Sequence, residues 1–316
     1  MDKKDEKISP WLIVLNAVLL VIVVLLFFAV YSVLHPKVLT KNTSKQDVTF
    51  AKTDAFNNIS VNARAVYIYD VVGKKVIFQK NENAQLPLAS LTKLMTALVA
   101  TNLVPKDSHV TIRKEFLTSE GDSGLLANET WRLKDLLDFS LIVSSNDGAH
   151  SVASVIGATI NNTNYSIGRQ DFIKQMNIEA KTLGLAQTYF VNESGLDENS
   201  NQSGGYGSAA DVSKLVEYML ENKPEILETT KYANTKISSL SLTHKIENTN
   251  TSINKIPGLL ASKTGYTALA GGNLVVAFDS SIGYPIIVVV LGSTQEGRFS
   301  DVEVLAKASM KYIQGE

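Results

Sequence analysis

The chain has 316 residues, a formal net charge of −1, 45% hydrophobic and 19% charged residues, and no cysteine. That length suits one medium globular domain with additions, and the near-neutral balance gives no basic footprint for nucleic acid. The missing cysteine removes disulfides, thiolate metal sites and a cysteine nucleophile. In chain order, Leu12 to Leu34 comes first: it carries no charged residue and is mostly Leu, Val, Ile and Phe. About 20 such residues span the hydrocarbon core of a bilayer. Trp11 and Tyr31 sit near its ends, where amphipathic rings prefer the headgroup layer. A cleaved signal peptide usually has a shorter apolar stretch, about 7–15 residues, and a small-residue cleavage site. The expectation is therefore a cytoplasmic tail over 1–11 and a transmembrane signal anchor over 12–34. Lysines flank both sides, Lys3, Lys4 and Lys7 against Lys37, Lys41 and Lys45, so the positive-inside rule does not choose an orientation.

Residues 35–60 are rich in Lys, Thr, Asn, Ser and Asp and read as a polar tether. The pattern changes at Val61, and 61–316 is expected to be the folded domain. Ala65 to Tyr69 and Val76 to Phe78, punctuated by Val72-Gly73-Lys74, predict a hairpin. Leu91, Leu94, Met95, Leu98 and Val99 recur at helical spacing. From Leu133 to Leu220 the pattern is mostly helical, with one helix face at Leu133, Leu136, Leu137 and Ser140 and a further helix from Asp211 to Leu220. Strands return at Asn273–Phe278 and Ile286–Leu291, and Ser300 is expected to cap a last helix carrying Val304, Leu305, Ala308 and Ile313. Strands that open and close a domain around a helical middle predict an α+β fold whose sheet joins distant parts of the chain.

Three short motifs bear on chemistry. Ser90-Leu91-Thr92-Lys93 puts a serine and a lysine one helical turn apart, near a start marked by Pro87. Serine is a poor nucleophile without a base, and Lys93 becomes one only if burial or a neighbouring positive charge lowers its pKa. Alone, this spacing also describes an N-cap serine followed by a solvated lysine. Ser144-Ser145-Asn146 follows the apolar run Leu141-Ile142-Val143 and reads either as a loop or as a hydroxyl and an amide facing a substrate. Lys263-Thr264-Gly265 reads either as a turn before a strand or as an edge strand beside the nucleophile. In the second case it supplies positive charge, a hydroxyl and close backbone approach. The four histidines, His35, His109, His150 and His244, form no H-E-x-x-H zinc pattern, and no G-x-S-x-G elbow supports a Ser-His-Asp triad.

The three motifs together, in this order, are the set shared by penicillin-binding proteins and class A β-lactamases. The flanks narrow the resemblance. Leu88 to Ala97 resembles the nucleophile helix of the low-molecular-mass penicillin-binding proteins, the serine-type D-alanyl-D-alanine carboxypeptidases. Ser144-Ser145-Asn146-Asp147 is similar to their S-G-N-D. Lys263-Thr264-Gly265-Tyr266-Thr267, with Ala270-Gly271 and Asn273-Leu274-Val275 after it, is similar to their strand motif. Phe190-Val191-Asn192 and Gly195-Leu196-Asp197 resemble F-x-N-P-H-G-L-D. The resemblance runs from about Ala63 to Ile313.

The resemblance implies a β-lactamase/D,D-peptidase-like fold, an antiparallel sheet flanked by helices with a mostly helical middle subdomain. It implies that Ser90 attacks the carbonyl between two D-alanines of a peptidoglycan stem peptide, that Lys93 takes the serine proton and that Ser144 passes a proton to the leaving amine. Asn146 would bind the substrate peptide group. Lys263, with Thr264 and Gly265 on the same strand, would make Lys93 less basic and meet the terminal carboxylate. Backbone N–H groups of Ser90 and Tyr266 would form the oxyanion hole, and Arg298 would pair with the carboxylate. No metal or organic cofactor is implied; β-lactams are implied as inhibitors. The catalytic domain would be extracytoplasmic, on a single-pass anchor in a bacterial cell membrane that replaces the family's C-terminal one. Glu193-Ser194 departs from the family's Pro-His, and Ser145 from its Gly. The alternatives are a D,D-endopeptidase on the same chemistry, a β-lactamase in which Glu193 or Glu198 activates water, and a catalytically silent wall-binding module.

Overall fold

Alternation of side chains decides the central sheet. In the computed structural model, which describes residues 54–117 and 124–315 together with Trp11 and Leu26, five strands pair antiparallel. They are β1 (Ala65–Asp70), β2 (Lys75–Lys80), β3 (Leu259–Thr267), β4 (Gly271–Asp279) and β5 (Pro285–Ser293), in the spatial order β3-β4-β5-β1-β2. The first strand lies beside the last, Ala65 opposite Leu291 and Asp70 opposite Ile286. Successive strand residues point to opposite faces. Ile287, Val289 and Leu291 of β5 join Val275 and Ala277 of β4 in one core, while Ile286, Val288 and Val290 join Leu274, Val276 and Phe278 in the other. Both faces are covered, which explains why β5 reads as an unbroken apolar run.

One face meets the helices that fill the chain between β2 and β3. These are α1 (Thr92–Leu103), α2 (Leu133–Ile142), α3 (Asn146–Asn161), α4 (Tyr165–Thr182) and α5 (Ala209–Asn222). Every residue of α1 from Thr92 to Ala100 is buried, so it runs through the interior rather than along one apolar stripe. Between α4 and α5 the chain is not helical, and short strands at Tyr189–Phe190 and Gly205–Gly207 interrupt the expected run. The other face is closed by α6 (Gly297–Gln314) through Phe299, Val302, Leu305 and Ala306. Its start differs from the expected cap at Ser300. The Thr294 hydroxyl accepts from the Gly297 N–H at 2.8 Å, and Ser300 donates to the Gly297 carbonyl from inside the first turn. The helix therefore opens four residues earlier, at Gly297.

The compact unit that carries these elements runs from Thr53 to Glu316, and Phe56 stacks on Phe78 with ring centroids 5.0 Å apart. The expected span over 12–34, Leu26 excepted, and the tether up to residue 53 lie outside the described residues. Among the described residues no helix is long and apolar enough to cross a membrane.

Candidate active site

Ser90 sits in a 3-10 turn, Ala89–Leu91, that leads directly into α1. Ala89 holds a positive φ of 48°, a conformation that costs a residue with a Cβ. Its surroundings hold it there. The Leu88 N–H donates to the Gly205 carbonyl at 2.9 Å, and Asn273 Nδ2 donates to the Pro87 carbonyl at 3.0 Å. Gly195 closes in from the other side: a Cβ at this position would lie 1.9 Å from the Ala89 oxygen. β3 also passes close, since a Cβ on Gly265 would lie 2.9 Å from the Leu88 oxygen and 3.1 Å from the Ser90 nitrogen. Only glycine lets both segments approach the nucleophile's backbone.

Lys93 follows one turn later. Its Nζ lies 2.7 Å from Ser90 Oγ, 2.7 Å from Asn146 Oδ1 and 2.9 Å from the Ser194 carbonyl. The side chain is 2% exposed. Burial disfavours the charged amine and lowers Lys93 to about 7, against the opposing charge of Glu193. An amine lowered to about 7 is largely neutral only above that pH, and its neutral form accepts a hydrogen bond from Ser90 where the charged form donates one.

The second pair faces it. Ser144 terminates the buried α2 with a φ of 61°, and Ser145 caps α3 by accepting from the Gly148 N–H at 2.9 Å. This sharp joint puts Asn146 on Lys93 and Ser144 on Lys263, whose Nζ donates to Ser144 Oγ and to the Thr264 carbonyl, both at 2.8 Å. Lys263 is 1% exposed. Burial first, then the positive charges of Lys93 and Arg298, push it well below the usual lysine range. Burial leads at both amines, and repulsion between them sets Lys263 against Lys93.

Lys263-Thr264-Gly265 lies inside β3, the edge strand, and not in a turn before it. Thr264 Oγ1 shares a hydrogen bond with Thr249 Oγ1, and Tyr266 is 48% exposed at the cleft edge. Arg298, on the first turn of α6, donates from Nη1 to the Gly265 carbonyl at 2.7 Å. Its Nε is buried with no hydrogen-bond partner among the described residues.

The two acids weighed as activators of water are held elsewhere. Glu193 is 2% exposed and binds His150 and Arg169, while Glu198 accepts from Asn192 Nδ2 at 2.7 Å. Among the described residues no group of three His, Cys, Asp or Glu side chains is placed to hold a metal.

Sequence reasoning missed the supporting residues. The Ser194 carbonyl on Lys93 and the Thr249 hydroxyl on Thr264 are contacts that no motif spells out. Asn273 was read only as part of the strand motif, yet it is fully buried and also accepts from the Gly292 N–H at 2.8 Å. An asparagine inside an apolar strand was the signal that could have singled it out, because buried amides are kept with partners.

Residues 49–295 match the D-alanyl-D-alanine carboxypeptidase family. The chain is 29% identical over 261 residues to the D-alanyl-D-alanine carboxypeptidase DacF of Bacillus subtilis, covering 80% of this chain and 64% of that one. It is 32% identical over 217 residues to a D-alanyl-D-alanine endopeptidase of Haemophilus influenzae, covering 67% of this chain and 69% of that one. The chain thus spans about two thirds of the length of these curated relatives. Among solved structures it is similar to penicillin-binding protein D2 of Listeria monocytogenes in its ampicillin-bound form. That match has 29% identity and a TM-score of 0.67, and covers 79% of this chain and 98% of that one.

Proposed function

The chain belongs to the D-alanyl-D-alanine carboxypeptidase family, and on that premise we propose that it is a serine-type D-Ala-D-Ala carboxypeptidase of peptidoglycan stem peptides. The observation that carries the reading is the 2.7 Å contact between Ser90 Oγ and a buried Lys93 whose pKa is lowered to about 7. A nucleophile and a base in hydrogen-bond reach, with the base poised near neutrality, are what acyl transfer requires.

In this mechanism Ser90 Oγ attacks the carbonyl carbon of the penultimate D-alanine while its proton passes to Lys93 Nζ. The carbonyl oxygen becomes an oxyanion, held by the N–H groups of Ser90 and Tyr266. The close passage of β3 beside the Ser90 nitrogen supports that pairing. The intermediate collapses, the C–N bond breaks, and Ser144 hands a proton to the departing D-alanine amine. The proton held on Lys93 restores the Ser144 hydroxyl. Water then attacks the Ser90 ester and gives its proton to the freed Lys93 amine, which returns it to Ser90 Oγ as the shortened stem leaves. Asn146 binds the substrate peptide group, and Lys263 with Thr264 meets the terminal carboxylate. The unpartnered Nε of Arg298 beside Gly265 supports its pairing with that carboxylate.

We place the domain outside the cytoplasm, on a single-pass anchor over residues 12–34 that follows a cytoplasmic tail. The uncharged apolar run and the location of the substrate class support this. Retention of the full chain in washed bacterial membranes and its release after deletion of residues 1–34 would bear this out; a full chain recovered in the soluble fraction would rule it out.

The test of the activity is release of D-alanine from a synthetic pentapeptide stem. Release by wild type and none by Ser90→Ala is the expected result. The family includes relatives named endopeptidases at 30% and 32% identity, and this favours one second reading, cleavage of D-Ala cross-links by the same acyl-enzyme. Release of monomers from cross-linked dimers without release of free D-alanine would decide for it.

A further inference from the structure

The segment Asn192–Gly195 clips onto α1 through two successive carbonyls. The Glu193 carbonyl accepts from Thr96 Oγ1 at 2.7 Å, and the Ser194 carbonyl accepts from Lys93 Nζ at 2.9 Å. Lys93 and Thr96 lie three residues apart on one face of α1, so the two contacts fix the register of the segment on the helix. The Glu193 side chain fixes the segment from the opposite direction. Oε1 accepts from His150 Nδ1 on α3 at 3.0 Å, and Oε2 accepts from Arg169 Nε on α4 at 2.8 Å. Burial alone would raise this carboxyl; His150 and Arg169 outweigh it and hold the group below its ordinary value. An ionised carboxylate this deep persists only with such partners.

A shape-keeping role would need no charge here. Yet the negative charge of Glu193 acts on Lys93 and opposes the effect of burial on that amine. The charged groups on the elements packed about Lys93 are Lys263 on β3, which feels the Lys93 charge, Arg298 on α6, which acts on Lys263, Asp147 and His150 on α3, whose Asn146 binds Lys93, and Arg169 on α4, which binds Glu193. Glu193 thus couples an α3–α4 clamp to the base of the reaction. We propose that Glu193 is a positioning residue: held by Arg169 and His150, it presses the Ser194 carbonyl onto the Lys93 amine and places a negative charge behind it. The inference rests on the acyl-enzyme reading of Ser90 and Lys93.

The test measures the rate at which a fluorescent penicillin labels the full chain, from about pH 5 to about pH 10, and takes the midpoint of the acidic limb. Glu193→Gln keeps the shape and removes the charge, so the midpoint moves down by about one pH unit. Arg169→Met removes one positive charge and leaves His150 on the carboxylate, so the midpoint moves up. Opposite shifts distinguish tuning from simple loosening, which lowers the plateau and leaves the midpoint in place. Midpoints that stay at the wild-type value, or that move in the same direction in both variants, overturn the proposal. If Glu193→Gln does not fold by thermal melting, Arg169→Met decides: a raised midpoint supports the proposal and an unmoved one overturns it. A wild type that takes no label overturns the acyl-enzyme reading itself. A labelled wild type with unmoved variants overturns only the role of Glu193.

Discussion

Lys93 and Lys263 place two buried amines in one cleft, and each reaches a different serine: Ser90 at 2.7 Å and Ser144 at 2.8 Å. Burial lowers both, and the charge of Lys93 lowers Lys263 further. One cleft therefore holds a buried amine next to Ser90 and a second buried amine next to Ser144.

Lys93→Arg separates the charge of the base from its ability to take a proton. Arginine stays protonated at any working pH. Acylation by penicillin should fall by about 10²–10⁴ while the fold is kept. Stopped-flow labelling rates, with circular dichroism for the fold, check this; a loss under about tenfold would remove Lys93 from the role of base.

The wild-type pH profile follows from the same group. Only the neutral amine accepts the Ser90 proton, and Lys93 is lowered to about 7. The acylation rate should therefore be half-maximal near that pH and fall about tenfold per unit below it. A midpoint near the ordinary lysine value would contradict the burial argument.

The lowered Lys93 also has a stability signature. Its ordinary value is 10.5 and its folded value is about 7, so between these two the unfolded chain binds more protons than the folded one. Stability conferred by this group is fully present above the unfolded value and is lost as pH falls through the window to the folded value. Urea denaturation at the two ends of that window should show wild type gaining stability relative to Lys93→Met as pH rises. An equal pH response in the two proteins would mean that the lysine is not desolvated.

Gly195→Ala tests the packing around the nucleophile turn. The position has a φ of +82°, and the added Cβ would sit 1.9 Å from the Ala89 oxygen. The backbone conformation alone costs about 1–3 kcal/mol, and the clash displaces the residue next to Ser90. Both the melting temperature and the labelling rate should fall. Wild-type labelling in this variant would show that the turn does not depend on Gly195.

Much of this arrangement was legible in the sequence. The sheet strands announced themselves through β-branched apolar runs, and α1 through the spacing of Leu91, Leu94 and Leu98, because period and burial are local signals. Ser90, Lys93, Ser144, Asn146 and Lys263 were legible through motif resemblance and not through periodicity. Contacts across the fold left no local trace. The carbonyl of Ser194 on Lys93 joins residues 101 apart, and Asn273 to Pro87 joins residues 186 apart. Backbone acceptors carry no side-chain signature, so only the folded chain reveals them. The cap expected at Ser300 failed because the helix already begins at Gly297, whose N–H is taken by the Thr294 hydroxyl, and Phe299 and Val302 in its first turns pack on the sheet.

The central claim is that Ser90 forms an ester with substrate, and intact mass after incubation with penicillin tests it most directly. Wild type should gain the mass of one opened penicillin, mapped to the peptide containing Ser90, and Ser90→Ala should gain nothing. A folded wild type that gains no mass and leaves the drug intact, or label that persists in Ser90→Ala, would contradict the account.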